Sequence, residues 1–270
     1  MTLRIKKSFI LTFKEMRESF KSKEVMWVII LMPLTFAVVL PLTIPVVNLI
    51  TPVDAFPDNE FENFPALVPY WDELDSRGKF LVFYTMIFFE TFLLLPMILP
   101  MVIAADSIVG ERERKTIEAL IATPLSKGEI LLGKLMTTMI PSTLVTWISG
   151  IIFMVISDLS LYWELGKLVF PNTMSLVLLF GLSPFFSLIT TQTMIIVSTR
   201  ASGMREAQQI GSLVILPLYS FVLGESALLL LASIYWTLGT SLLLLVCTII
   251  LLLINIRVFD REYMIASILS

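Results

Sequence analysis

The chain has 270 residues, 57% of them apolar and 15% charged, with a mean hydropathy of +0.90. Soluble domains are roughly 45–50% apolar and about 25% charged; the apolar excess here falls in runs that reach the about 20 residues a membrane-crossing helix needs. The net charge of −3 gives no footing for nucleic-acid binding, the absence of histidine excludes histidine-based catalysis, metal ligation and pH switching, and a single cysteine, Cys247, excludes an intrachain disulfide.

Residues 1–24 are basic and amphipathic. At helical spacing Ile5, Phe9, Phe13, Met16 and Phe20 fall within a stripe about 80° wide, with Lys7, Lys14 and Lys21 away from it. Such a helix rests in the membrane interface with its cations near lipid headgroups, either as a juxtamembrane anchor or as a docking surface. A first span is expected over 25–50, with Pro33, Pro41 and Pro45. The polar loop 51–79 follows, carrying seven acids that lack calcium-loop spacing. Tyr70 and Trp71 are expected there at headgroup level.

Further spans are expected over 80–105, 130–157 and 173–198, with a short loop at 158–170 and a polar turn at 199–208. Residues 209–256 are too long for one crossing. Leu223-Gly224-Glu225-Ser226 is the expected break, with a short re-entrant or outer-face helix at 227–236 and the last span at 237–256. The fold class is therefore an all-α polytopic membrane protein. It has six transmembrane helices (25–256), an N-terminal interfacial helix (1–24) and a short tail (257–270). Sixteen lysines and arginines fall in the N-terminus, the 106–134 segment, the 199–208 turn and the tail. Only Arg77, Lys79 and Lys167 fall in the alternate loops. The positive-inside rule then places both termini and segment 106–134 in the cytosol.

Segment 106–134 is the one long charged insert built to fold. Gly110 breaks the second span, and Glu111 and Lys115 form a favourable pair one helical turn apart. Ile117, Leu120 and Ile121 share a helical face, and Thr123-Pro124 ends that helix. Ser126-Lys127-Gly128-Glu129 has the pattern of a capping box, with Leu125 and Ile130 placed as a hydrophobic staple. The segment is either a well-folded connection or an elbow through which a cytosolic protein moves the spans. Gly110 to Thr116 is no phosphate loop: Arg114 occupies the position where backbone must approach phosphate and glycine is required.

GERERKTIEALIATPLSKGEILLGK resembles the segment between the second and third spans of ABC type-2 transporter permeases, the membrane subunits of prokaryotic ABC exporters. The sodium-efflux and drug-efflux branch is the most similar. The likeness extends over nearly the whole chain to RVFDREYM. It implies that the chain sits in the plasma membrane, pairs with a second permease copy or homologue, and engages separate ABC-type ATP-binding subunits. It binds no cofactor itself, ATP and magnesium being held by those subunits. The resemblance further implies a coupling helix between spans two and three, with contacts carried onto Glu111, Arg112, Glu113, Arg114, Lys115, Thr116, Glu118 and Leu120. Arg200, Arg205 and Glu206 of the second turn would add a minor contact.

Within the spans, Glu90 reads as the one deep charge. An intramembrane acid points to function by default, and Asn48, Thr190, Thr191 and Gln192 are its possible polar company. The other reading is a glutamate held by a neighbouring helix. Phe83, Met86, Phe88, Phe89, Phe185 and Phe186 either line an apolar path or face lipid. Prolines at 33, 41, 45, 96, 100, 141, 184 and 217 predict kinked spans. Two other function classes fit the composition: an ion-driven transporter or channel using Glu90, and a scaffold whose elbow docks a partner.

Overall fold

A computed structural model describes residues 5–52, 68–110, 113, 125–198, 200–229 and 234–258. Regular structure among them is entirely helical: α1 (Ile5–Ser19), α2 (Lys23–Ile50), α3 (Ser76–Gly110), α4 (Lys127–Leu165), α5 (Thr173–Ser198), α6 (Met204–Leu229) and α7 (Ile234–Val258). Four are long and apolar enough to cross a membrane: α2, α3, the stretch Gly128–Leu165 of α4, and α5. A shorter apolar stretch, Ser241–Arg257, lies in α7.

Local chemistry sets where the helices start. Asp75 caps α3 by accepting from the Gly78 amide at 2.8 Å, so the helix begins before the expected Phe80. Asn172 and Ser175 cap α5 reciprocally, at 2.8 and 3.1 Å, and the fourth span runs over the expected 173–198. At the far end of α4, Gly166 adopts φ +62°, the left-handed conformation in which glycine carries no Cβ penalty. The Asp158 carboxylate then accepts from the amides of Val169 and Phe170, at 2.9 and 3.0 Å, and folds the following turn back on α4.

Prolines leave a specific mark. A π-helical turn at Thr35–Val39 ends just before Leu40-Pro41, and another at Val177–Leu182 just before Ser183-Pro184. In each, the amide of the residue preceding the proline reaches one carbonyl further back than in an α-helix. In α3 the adjustment is opposite: a 3₁₀ turn at Thr91–Leu94 precedes Leu95-Pro96. Proline lacks an amide and crowds the carbonyl four residues back, so the helix re-registers ahead of it. Pro100 and Pro141 lie inside α-helix without such a turn.

The core is built on α3, whose apolar stretch is 89% buried, against 22% for α2. Phe89 and Phe92 of α3, Phe153 of α4 and Phe170 form a ring cluster with centroids 5.0–6.1 Å apart. Phe36, in the π turn of α2, meets Phe92 edge-on at 6.0 Å. Met86, Phe89 and Phe186 are thus core residues, lining neither a path nor lipid. Trp27, Leu34, Leu42 and Leu49 of α2 are exposed on the outside of the chain.

A polar ladder joins α4 to α5. Thr138 donates to Thr191 at 2.9 Å, Ser142 and Ser187 pair at 2.7 Å, and Trp147 donates to the Leu179 carbonyl and the Ser183 hydroxyl at 2.8 and 3.1 Å. Gly150 lets the helices close: a Cβ there would stand 2.5 Å from Leu179. Small and hydroxylic residues are the usual means of helix association where water is absent.

Trp71 is buried in the core from a short 3₁₀ turn, Trp71–Glu73, and Tyr70 beside it donates to the Leu168 carbonyl at 2.7 Å. One expectation is corrected: helix α6 runs unbroken through Leu223–Ser226 to Leu229, and Ile234–Trp236 already belongs to α7. No proline follows Gly224, and one glycine costs an apolar helix only about 1 kcal/mol relative to alanine. Residues 230–233 of the expected re-entrant segment lie outside the described residues, as do 53–67 of the loop and 259–270 of the tail.

Candidate functional site

The elbow between α3 and α4 is anchored at both ends. Its exit is the capping box: the Ser126 amide donates to Glu129 at 2.8 Å, and the Glu129 amide donates to the Ser126 hydroxyl at 3.3 Å. Leu125 and Ile130, the expected staple positions, lie in one apolar cluster with Leu11, Leu131, Leu135 and Ile195. Its entrance is a π turn, Asp106–Gly110, in which Asp106 and Ser107 are buried.

Of the residues carried over as partner contacts, Glu113 lies among the described residues. Glu111, Arg112, Arg114, Lys115, Thr116, Glu118 and Leu120 lie outside them. Glu113 is helical and exposed, and its carboxylate accepts from the Met204 amide at 3.0 Å. Met204 opens α6, so the acid sits at the positive end of that helix dipole. Glu206, two residues on, accepts from the Ser202 amide at 2.7 Å and also bonds the Ser202 hydroxyl. Arg200, Arg205 and Glu206 are exposed beside it. The elbow and the second turn, separate in sequence reasoning, are joined through Glu113.

Sequence reasoning missed the buried charge behind the elbow. Lys134 of α4 pairs with Glu15 of α1 at 3.2 Å, their side chains 3% and 2% exposed. Ser107 completes the cluster. Its hydroxyl donates to Glu15 at 2.9 Å, while Lys134 donates to the Ser107 carbonyl at 2.8 Å and to its hydroxyl at 3.3 Å. Helix α1 presents Ser8, Leu11, Thr12, Glu15 and Ser19 to the protein, and Phe9, Ile10 and Phe13 outward. Thr12 donates to the Gly133 carbonyl at 3.2 Å, and Leu11 fills the space a Cβ on Gly133 would need. Buried charge is thus not confined to Glu90: Glu15, Asp106, Glu129 and Lys134 are buried too, at the elbow end of the helices. The available signal was Lys134 itself, set among apolar neighbours in ILLGKLM and two turns beyond the cap.

The residues offered as a substrate path lie on three helices, α2, α3 and α5. Glu90 is 4% exposed at the end of the first α-helical part of α3, within electrostatic reach of Tyr219 of α6. Asn48 stands near the end of α2, where its carbonyl accepts from Arg77. Gln192, further along α5, receives Asn255 of α7 on its carbonyl at 3.1 Å. Thr191 is taken up by Thr138. Thr190 lines a small cavity between α5 and α6 with Thr193, Met194, Gly211 and Ile215.

Apolar helices of membrane-crossing length, prolines absorbed in π and 3₁₀ turns, and a polar ladder between α4 and α5 define a polytopic helical membrane protein. Residues 10–254 match the family described as ABC-2 family transporter protein, and the chain belongs to that family of ABC transporter permeases. The chain is also similar to the ABC transporter permease protein NatB of Bacillus subtilis (strain 168), at 30% identity over 128 residues. That stretch is 44% of this chain and 32% of the relative, so the match spans about a third of the relative's length.

Proposed function

We propose that the chain is the membrane subunit of an ATP-driven exporter. It forms the translocation path with a second copy or homologue, and separate ATP-binding subunits drive it through segment 106–134. The observation that carries this reading is the elbow's construction. It is capped at Ser126, and Glu113 ties it to the start of α6. A slack connection between two spans needs neither device. Membership of the ABC-2 transporter family and similarity to a permease subunit support the same reading.

In this arrangement α6 and α7 are the fifth and sixth crossings, and both termini face the cytosol of a prokaryotic cell. The contacts support that topology. Loops 68–75 and 166–172, which carry few cations, meet through Tyr70 on Leu168 and through the Lys167–Glu73 pair. At the cation-rich ends, α1, the elbow and the second turn meet through Glu15, Lys134 and Glu113. ATP and magnesium belong to the partner, because Arg114 stands where a phosphate loop requires glycine.

The reading is tested by reconstituting the chain with its ATP-binding subunits in liposomes and screening ions, lipophilic drugs, peptides and lipids for flux. ATP-dependent flux that stops when the partner's hydrolysis is disabled is the expected result. Flux that persists without hydrolysis, and is lost in Glu90→Gln, would favour an ion-driven transporter. The burial of Glu90 is the observation behind that second reading.

A further inference from the structure

We propose that Met101 of α3 and Met194 of α5, converging on Gly211 of α6, form a binding site for a soft monovalent metal ion of the Cu(I) and Ag(I) type. The site concerns what the chain binds, and it stands apart from the reading that ATP-binding subunits engage the elbow.

The geometry begins at Gly211, which is buried and carries no side chain. A Cβ there would stand 2.5 Å from the Met194 sulfur and 3.2 Å from the Met101 sulfur, so the two Sδ atoms share the space a side chain would fill. Met194 is buried and Met101 half-buried. Beside the same glycine lies a cavity of about 30 Å³, lined by Thr190, Thr193 and Met194 of α5 and by Gly211, Ile215 and Leu218 of α6. A single water occupies about 10–15 Å³ of such space, which leaves room for a bare ion and one further ligand. Thr190 is 4% exposed, and its hydroxyl oxygen is buried with no hydrogen-bond partner. A hydroxyl left in that state is unfavourable. The Thr193 hydroxyl, by contrast, is taken up by the Ile189 carbonyl at 2.8 Å.

Donor chemistry selects the ion. The two thioethers and the hydroxyl are neutral, and no charged side chain lines the cavity. Calcium and magnesium need about six or more oxygen ligands, carboxylates among them. Among the described residues no group of three histidine, cysteine, aspartate or glutamate side chains could hold such an ion. Thioether sulfur is soft and polarizable and favours Cu(I), and Ag(I) has the same charge and a similar softness. A methionine on its own is a common filler of gaps. Two sulfurs from different helices on one glycine, beside a cavity with an unpaired hydroxyl, exceed what filling requires.

A third thioether marks the approach. Met204 opens α6, is half-buried, and packs with Met101 and Met194 around Ala104, Ala105 and Ala207. Met204 and Gly211 fall on one face of α6, about two turns apart. An ion entering at the end where the elbow lies meets Met204 first, then Met194 and Met101.

The test uses the full chain in detergent with silver as the probe, in a chloride-free nitrate buffer and a Cys247→Ser background that removes the one thiol. After desalting, the chain in this background should retain one silver, with sulfur neighbours in its X-ray absorption spectrum. Met101→Leu with Met194→Leu conserves side-chain volume and should lose that silver. Met26→Leu with Met139→Leu, on α2 and α4, should keep it.

A second variant leaves every thioether in place. Gly211→Ala puts a Cβ where the sulfurs meet and should weaken silver binding by about ten- to a hundred-fold, the scale seen when the support of a metal ligand is disturbed. Met194→Leu alone should weaken it at least as much, which keeps the site testable if the double variant does not fold; thermal midpoints taken without silver show which variants are folded. Equal silver on the Met101–Met194 variant, or loss from the control pair as well, overturns the site as an adventitious ion only. No silver on the parent chain overturns it as methionines packed on a glycine. None of these readouts involves ATP-binding subunits, so failure here leaves the exporter reading untouched.

Discussion

Single residues decide where this chain is most sensitive to change. Lys134 and Glu15 tolerate burial because each compensates the other, so removing one should do more harm than removing both. Lys134→Ala strands a buried carboxylate and should cost about 3–5 kcal/mol, read as a large drop in thermal midpoint in detergent. Glu15→Leu with Lys134→Met should recover most of that loss. At the opposite end, burial, reinforced by the Asp158 carboxylate, pushes the Tyr70 phenol from 10.0 up to about 12. Because the folded pKa is the higher one, its stabilising effect is complete below about pH 10 and is lost as pH rises through about 12. Ultraviolet titration of wild type against Tyr70→Phe should therefore show the missing phenol ionising near pH 12; a component ionising near pH 10 would contradict the burial. The Ser126–Glu129 cap was legible in the sequence because it is local, two side chains and two amides within one turn. The Glu15–Lys134 pair was not, because no local pattern relates the first helix to the base of the third span.

Among the helices, cap residues and glycines determine extent, and small residues determine how closely neighbours approach. Helix α5 coincides with the apolar run of the expected fourth span, and Asn172 and Ser175 fix its start. The helix of the second span starts ahead of the apolar run, at Ser76, because Asp75 caps it from within a charged loop. Prolines foretold bending, yet which would produce a π turn, a 3₁₀ turn or neither depends on packing around each one. Likewise the break at Gly224 failed because a lone glycine does not end a helix that has no other way to satisfy its backbone. Between α4 and α5, Gly150→Leu should push the helices apart, since even a Cβ would stand 2.5 Å from Leu179. Overpacking of this kind costs roughly 1–3 kcal/mol. Thr138→Val should be much milder, since one interhelical hydrogen bond in a membrane averages about 0.6 kcal/mol. Thermal unfolding of the two variants side by side checks the order.

At the level of the whole molecule, α3 is the buried mast around which the other spans pack, and both ends of the elbow connect to it or to α4. A load applied at the elbow is thus delivered to the core of the subunit. The ladder then carries it on to α5, and Glu113 to α6. The helical, membrane-crossing character was readable from hydropathy. The join between the elbow and the second turn was not legible in the sequence, because the Glu113–Met204 contact is set by tertiary packing. The central claim is that this elbow receives an ATP-binding subunit, and retention of that subunit on the affinity-tagged chain tests it most directly. Wild type should retain an ABC-type ATP-binding subunit through purification in mild detergent, and Leu120→Asp with Glu113→Lys should lose it while remaining folded in the membrane. Equal retention by the wild type and the double variant, or no retention by either, would contradict the account.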